Sequence, residues 1–155
     1  MSMLLFYVGE NRYAINCHHI LRIIPKVTLK SVPYTMNYMV GFLNLGGKPV
    51  PVVDFCQLIE HRNAYPSMNS RIILIKDPQF ESERILGILG EKVDEIIPLQ
   101  AEQFSKTEFP LHYFPYLDKV YSDDKGIIQC VNILEFFRFL SVEIFKAVGK
   151  EHEEH

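Results

Sequence analysis

Val40-Gly41-Phe42-Leu43-Asn44-Leu45-Gly46-Gly47-Lys48-Pro49-Val50-Pro51-Val52-Val53-Asp54-Phe55 reads as two strands joined at a glycine corner and running straight into a helix. The apolar runs 40–45 and 49–53 flank Gly46-Gly47-Lys48, which is hairpin composition. Asp54 follows directly and offers a side-chain oxygen to cap a short helix over 55–59. Upstream, runs 4–8 and 12–15 flank Gly9-Glu10-Asn11 as another hairpin, and 20–24 is a β-branched run stopped by Pro25. Downstream, 61–69 is a polar connector containing Pro66, with no apolar period. Strands are then expected at 71–76, 84–89 and 93–97, with 77–83 a loop and Pro98 the last stop. Residues 100–115 read as irregular, and strands 119–121 and 127–131 flank the turn 122–126.

The last element is a helix from Asn132 to about Gly149. Asn132 with Glu135 three residues on resembles a capping box, and Gly149 suits the C′ position. Ile133, Leu134, Phe136, Phe137, Phe139, Leu140, Val142, Ile144, Phe145, Ala147 and Val148 cover more of its circumference than a surface helix carries. It is therefore either sandwiched between two bodies or docked against a partner.

The two halves of the chain repeat each other. Ile20-Leu21-Arg22-Ile23-Ile24-Pro25 matches Val93-Asp94-Glu95-Ile96-Ile97-Pro98, and Pro51-Val52-Val53-Asp54-Phe55 matches Gln129-Cys130-Val131-Asn132-Ile133. Two matches in the same order point to two copies of one supersecondary unit. Short strands with glycine corners suit two similar small β-barrels.

The 155 residues are 48% hydrophobic and 23% charged, with a net charge of −3, which suits one folded domain with a good core. No basic excess advertises a nucleic-acid or anionic-membrane partner. Cys17, Cys56 and Cys130 are odd in number and far apart, so they read as free thiols in a reducing compartment. The N-terminus has no basic leader region and no run nears the roughly 20 apolar residues of a spanning helix, so a cytoplasmic protein without membrane insertion is expected.

No catalytic motif stands out: the chain lacks P-loop, GxSxG, HExxH and GxGxxG patterns. Cys17-His18-His19 carries zinc-ligand chemistry, but neighbours on a strand face opposite ways and no second ligand pair has finger spacing, so a strand or turn with solvated histidines fits better. His152 and His155 lie in a charged terminus expected to fray, and Asp123-Asp124 fit a turn better than a catalytic pair. The aromatic run 109–116 contains only His112 as a potential base, so it fits a packed loop better than a base-stacking platform. No catalytic residue, metal or cofactor is expected. The remaining features suit a binding module working through surface patches and an inter-barrel groove.

The chain resembles the CheW-like domain family of bacterial chemotaxis coupling proteins. The resemblance runs through Leu5–Gly9, Tyr13–Ile15 and Ile20–Ile24, and is strongest over Val32-Pro33, Tyr38–Leu45 and Gly47–Asp54. It continues more loosely through 72–75, 87–89, 93–97 and 126–134. It implies a mainly β fold of two five-stranded SH3-like barrels around a shared core, with a C-terminal α-helix. The expected division is a first subdomain of 1–62 plus helix 132–149, a second of 70–131, and a disordered tail of 150–155. It further implies a non-enzymatic adaptor between the cytoplasmic tip of a chemoreceptor and the regulatory domain of a CheA-type histidine kinase, in chemotaxis or a related chemosensory or pilus-motility signalling pathway. One barrel would dock the kinase and the groove would take the receptor. The contact residues this points to are Ile20, Arg22, Gly41, Asn44 and Gly46, although Gly41 also suits a backbone bulge and Asn44 and Gly46 a hairpin.

The departures from the family pattern are specific. The family carries Asn-Leu-Arg-Gly where this chain has Asn44-Leu45-Gly46-Gly47, and Glu where it has Arg22. One position has lost a cation and the other has reversed sign, so a charge pair between them cannot form. The family's Val-Asp is here Gly90-Glu91, and Cys56 replaces a commoner polar residue. An altered receptor-facing surface is expected. Two other classes stand against this reading: a single-stranded nucleic-acid-binding barrel, disfavoured by the acidic balance, and a metal-dependent enzyme using His18, His19 or His112.

Overall fold

The computed structural model describes residues 1–25, 29, 36–65, 67–100, 104–106, 114–140 and 144. Strands β1 (Ser2–Val8), β2 (Asn11–Asn16), β3 (Ile20–Pro25), β4 (Met39–Leu45) and β5 (Lys48–Asp54) lead into helix α1 (Phe55–Glu60). Strands β6 (Arg71–Asp77), β7 (Glu81–Gly90), β8 (Lys92–Pro98), β9 (Phe104–Lys106), β10 (Leu117–Asp123) and β11 (Gly126–Val131) lead into helix α2 (133–140).

These strands form two sheets, in the orders β8-β1-β2-β11-β10-β9 and β3-β6-β7-β5-β4. The connector at 61–69 separates the repeats in sequence, yet strands from both sides of it enter each sheet. Strands β1 and β2 are completed by β8, β9, β10 and β11 of the other repeat, and β6 and β7 by β3, β4 and β5. Each sheet therefore contains one parallel pair across the repeats: β2 with β11 through Tyr13↔Gln129, and β5 with β7 through Val52↔Gly87. The matched strings found in the sequence occupy equivalent places. Ile23 and Ile24 pair with Ile73 and Ile72, while Ile96 and Ile97 pair with Leu4 and Met3.

The two helix starts repeat down to single hydrogen bonds. Met39 N donates to Met36 O and Asp54 N to Tyr38 O; Leu117 N donates to Phe114 O and Asn132 N to Tyr116 O. The two caps differ in chemistry for a visible reason. Asp54 accepts from Cys56 N at 2.9 Å and from Ala64 N at 2.8 Å, so both of its oxygens must be acceptors. Asn132 accepts from Glu135 N at 3.1 Å through Oδ1 and donates from Nδ2 to Asp118 at 2.7 Å, so it needs an amide. Burial pushes the Asp54 carboxyl up, and the backbone donors at Ala64, Cys56 and Gln57 oppose this. Asp54→Ala is expected to lower stability by about 1–2 kcal/mol through the lost cap and the freed Ala64 N–H. Asp54→Asn keeps the cap, loses the Ala64 bond and falls between. Urea midpoints in the opposite order would show that the second acceptor is idle.

Among the described residues three apolar clusters form the interior. Val50, Val52, Ile72, Leu74, Ile85 and Leu89 line one sheet, joined by half-buried Ile24, Leu43 and Leu45 from its two edge strands. Met3, Leu5, Ala14, Tyr121, Ile128 and Cys130 do the same for the other. Between the sheets lies the largest cluster, including Phe6, Tyr13, Phe55, Ile73, Ile88, Tyr116 and Phe136. The fold is thus two SH3-like five-strand units around a shared core, with β9 added at one edge and, among the described residues, no backbone pairing closing either sheet. Helix α2 is sandwiched: Ile133, Phe136, Phe137, Leu140 and Ile144 are buried in the shared core, and half-exposed Phe139 rests on Tyr116.

Three local expectations are corrected. Residues 77–83 are not all loop, because β6 runs to Asp77 and β7 starts at Glu81. The stretch read as irregular contains β9, whose three residues are too few to show alternation. Cys17–His19, expected as a strand or turn, is a 3-10 turn, capped by Asn16 accepting from His18 N at 3.0 Å. Only half of the capping box forms: Asn132 caps Glu135, but the Glu135 carboxylate takes Arg138 at 2.9 Å while Asn132 N serves Tyr116. Of the helix expected to 149, residues 141–143 and 145–149 lie outside the described residues, as do the tail 150–155 and the aromatic run with His112 up to residue 113.

Candidate docking surface

The β4–β5 corner is a two-residue turn. Leu45 pairs with Lys48, and Gly46 and Gly47 take φ of 59° and 89°. Both central residues of this tight turn need positive φ, which favours glycine at each. Asn44 Oδ1 accepts from Gly47 N at 2.7 Å and holds the corner. Gly41 is buried at φ 152°, where the register shifts between Met39 and Gly41. These three expected contact residues therefore have structural duties, and only Asn44 and Gly46 are exposed.

Strand β3 is different. Ile20 packs half-buried on the shared core, so core packing absorbs much of it. A register shift between Ile20 and Arg22 breaks the alternation. Beyond it Arg22 is exposed, beside Leu21 at 47% and Ile23 at 38% exposure. Arg22 makes no hydrogen bond or ion pair with any described residue. Strands β3 and β4 are the two edges of their sheet, with β6, β7 and β5 between them in hydrogen-bonding order. The five expected residues thus split into a strand set, Ile20 and Arg22, and a corner set, Gly41, Asn44 and Gly46. Leu21 and Ile23 were missed because a regular strand would bury alternate residues, and the bulge that exposes consecutive ones has no sequence signature here.

Beside Leu21 opens a cleft of about 440 Å³ lined by His18, His19, Lys76, Asp77 and Ile85 among others. His19 is held below the usual histidine range by burial first, then by the nearby His18 and Lys76 charges. Asp77 is buried and accepts from Gln79 N at 2.9 Å, so it belongs to its turn. Among the described residues no three His, Cys, Asp or Glu side chains gather as a metal group. All three cysteines are free thiols, and burial pushes Cys56 and Cys130 up to about 12. Asp123 does serve its turn, accepting from Lys125 N at 2.9 Å, and it also holds Arg12 at 2.9 Å across the repeats.

The substituted Glu91 turns out to be a hub. Its carboxylate accepts from Gly9 N at 3.0 Å, Tyr65 N at 2.8 Å and two Arg62 nitrogens at 2.7 and 3.1 Å. The Cys56 thiol lies 3.5 Å away as a weak donor. This joins the β1–β2 turn, α1, the connector and the β7–β8 turn at one group.

Comparison with known proteins agrees with this architecture. The CheW-like domain profile matches residues 2–141. The chain belongs to the CheW-like domain family. It is 24% identical over 106 residues to a "Chemotaxis protein CheW" of Rhizobium meliloti (strain 1021), covering 68% of this chain and 66% of that one. It is 24% identical over 95 residues to a "Chemotaxis protein CheW" of Helicobacter pylori (strain ATCC 700392 / 26695), covering 61% and 55%. The matched region is therefore somewhat under two thirds of these relatives' lengths. The crystal structure of the scaffolding protein TtCheW from Thermoanaerobacter tengcongensis superposes with a TM-score of 0.76 at 20% identity, covering 88% of this chain and 86% of that one. That likeness establishes the fold. Among the described residues no helix is long and apolar enough to cross a membrane.

Proposed function

We propose that this CheW-like chain is a non-enzymatic cytoplasmic scaffold that couples a chemoreceptor tip to a CheA-type histidine kinase, recruited to receptor arrays, with an altered receptor-facing surface. The observation that carries the docking assignment is β3, an edge strand exposing Leu21, Arg22 and Ile23 around a cation that has no partner among the described residues. A guanidinium flanked by aliphatic side chains is interface chemistry, since Arg is enriched where apolar contact and planar hydrogen bonding meet. Ile20 and Arg22 are the proposed contacts, with Asn44 and Gly46 presenting the corner and Gly41 shaping its strand. The altered surface rests on Gly46 and Arg22, which stand where the family carries Arg and Glu.

The test is direct binding of the purified protein to a CheA regulatory domain and to the tip fragment of a standard chemoreceptor. Kinase binding at micromolar affinity is expected, with receptor binding weaker than that of an ordinary coupling protein. No kinase binding would sink the coupling role; ordinary receptor affinity would sink the altered surface. Gly46→Arg with Arg22→Glu should strengthen receptor binding about tenfold, equivalent to ~1.4 kcal/mol. Gly46 has φ 59°, so Arg there also costs about 1 kcal/mol of fold stability. The urea midpoint of the double variant separates that loss from the binding gain.

A further inference from the structure

The two repeats correspond position by position, and one place that is filled in the first is open in the second. Strand β4 shifts register between Met39 and Gly41 against Val53 and Val52, and β10 does so between Leu117 and Lys119 against Val131 and Cys130. Val40 and Asp118 are therefore equivalent, as are the two caps, Asp54 and Asn132. The parallel pairs Val52↔Gly87 and Cys130↔Ala14 align β7 with β2, which makes Leu89 equivalent to Asn16. The pairs Ile24↔Ile72 and Met3↔Ile97 align β6 with β1, which makes Ile72 equivalent to Met3.

In the first repeat this place holds the connector. Ala64 packs on the cluster of Val52, Ile72 and Leu89, which Val40 also joins, and its N–H donates to Asp54 Oδ2 at 2.8 Å. The next N–H, at Tyr65, goes to Glu91. Residues 63–65 thus cross the start of α1 with one small side chain inward and two backbone donors given to carboxylates. In the second repeat the equivalent residues Asp118, Cys130, Met3 and Asn16, with Tyr121 and Asn132, line an open cleft of about 190 Å³. Its wall has changed chemistry, because Asp118 and Asn16 stand where the first repeat has Val40 and Leu89. Asn16 serves the 3-10 turn, so Asp118 carries the argument. Asn132 donates its amide to Asp118 Oδ2 at 2.7 Å, and Asp118 Oδ1 has no partner among the described residues. The acceptor that Asp54 Oδ2 supplies in the first repeat is thus supplied by Asp118 in the second.

The chain after α2 does not follow the path of the connector. Ile144, just beyond the equivalent of Ala64, is helical and buried in the shared core. At this point the chain is still in the helix, whereas in the first repeat it is already back at its cap. We propose that the cleft seats an extended segment of a partner protein, bound as residues 63–65 are bound in the first repeat. A small side chain would lie against Met3 and Cys130, and its backbone N–H would donate to Asp118 Oδ1. One small side chain and one or two hydrogen bonds give weak binding, on the order of 1 mM for an isolated peptide. Such a seat adds strength where other contacts already hold two proteins together. It belongs to β1, β2, β10 and β11, not to the sheet of β3 and β4, and needs neither receptor nor kinase docking.

Amide shifts of the full chain, titrated with a blocked peptide copying residues 63–67 to about 5 mM, test this. Shifts should gather at Met3, Asn16, Asp118 and Asn132. Asp54, Ala64 and Glu91 should not move, because the connector already fills the first place. The same peptide methylated on the Ala64 nitrogen lacks the donor and should bind at least about tenfold more weakly, as for a lost hydrogen bond to a charged acceptor. A peptide carrying Ala64→Phe should lose binding because the cleft takes only a small side chain. Asp118→Asn in the protein should weaken the parent peptide as methylation does, since Asn132 then takes the amide oxygen and a donor is left. The peptide variants keep the test independent of any protein variant's folding. No shifts at 5 mM, equal binding of the three peptides, or displacement of the connector would each overturn the proposal. Shifts at 150–155 on addition of the peptide would make the chain's own tail the occupant and overturn the partner assignment.

Discussion

Phe55→Ala is expected to remove about 3–5 kcal/mol of stability, the range for emptying a buried aromatic site. Phe55 is the first residue of α1, fully buried and fixed by the Asp54 cap before it. Its ring packs edge-on to Phe6 and Tyr13 at 5.1 Å each, from the first repeat. It also reaches Tyr116 at 6.4 Å and Phe136 at 6.1 Å, from the second. The cavity would therefore open where the exchanged strands of both repeats meet, and strand scaffolds on either side leave little freedom to collapse into it. Single domains are stable by only about 5–15 kcal/mol, so this loss is a large fraction of the total. With a urea slope of about 2 kcal/mol/M, the midpoint should fall by roughly 2 M. Phe139→Ala, at a half-exposed ring on the same helix-and-aromatic cluster, should cost under about 1 kcal/mol. Equal losses at the two positions would mean that the shared core is not the centre of stability.

The stretch from Val40 to Phe55 was legible because every device in it is local. A glycine pair forms a two-residue turn, a β-branched strand follows, and an acidic side chain caps the next helix, whatever the rest of the chain does. The repeat was legible for the same reason, since Ile20–Pro25 and Val93–Pro98 carry matching inward residues. The exchange of strands between repeats was not legible. Nothing in the residues of β1 distinguishes pairing with β3 from pairing with β8, because both present an isoleucine run ending in proline. Parallel pairing of β2 with β11 is a long-range choice that only the shared core decides.

The proposed docking surface was legible in part. Arg22 stood out by its sign, and the structure places it in the open on an edge strand. Gly46 and Asn44 stood out too, and geometry gives each a turn-forming duty that a string of letters cannot separate from a contact. Leu21 and Ile23 went unnoticed, because apolar residues in apolar runs look like core until a bulge turns them outward. The pairing of Arg62 with Glu91 was invisible for another reason. Arg62 lies in the connector and Glu91 at the β7–β8 turn, 29 residues on, and only the fold brings them to 2.7 Å.

That ion pair gives the clearest dependence on pH. The Arg62 guanidinium, helped by the Tyr65 and Gly9 backbone donors, holds Glu91 at about 2, below its ordinary value of 4.5. Folding depresses this carboxyl, so its contribution is fully present above about pH 4.5 and is lost as the pH falls toward 2. Its side chain is 12% exposed, so solvent screening trims the interaction only modestly. At 1.36 kcal/mol per pKa unit, the contribution at neutral pH is about 3 kcal/mol. Glu91→Gln should therefore lower stability by about 2–3 kcal/mol at pH 7, since Gln still accepts one backbone bond but leaves Arg62 with Glu60 as its one carboxylate beside the Asn63 carbonyl. At pH 3 the same substitution should cost about half as much or less, because the native carboxyl has by then given up most of its advantage. Asp123 is also held at about 2, chiefly by Arg12, so both proteins keep a common acid slope. The difference between their urea midpoints at pH 7 and pH 3 isolates Glu91. A gap that stays constant with pH would mean that the carboxylate charge does not hold the β1–β2 turn, the connector and the β7–β8 turn together.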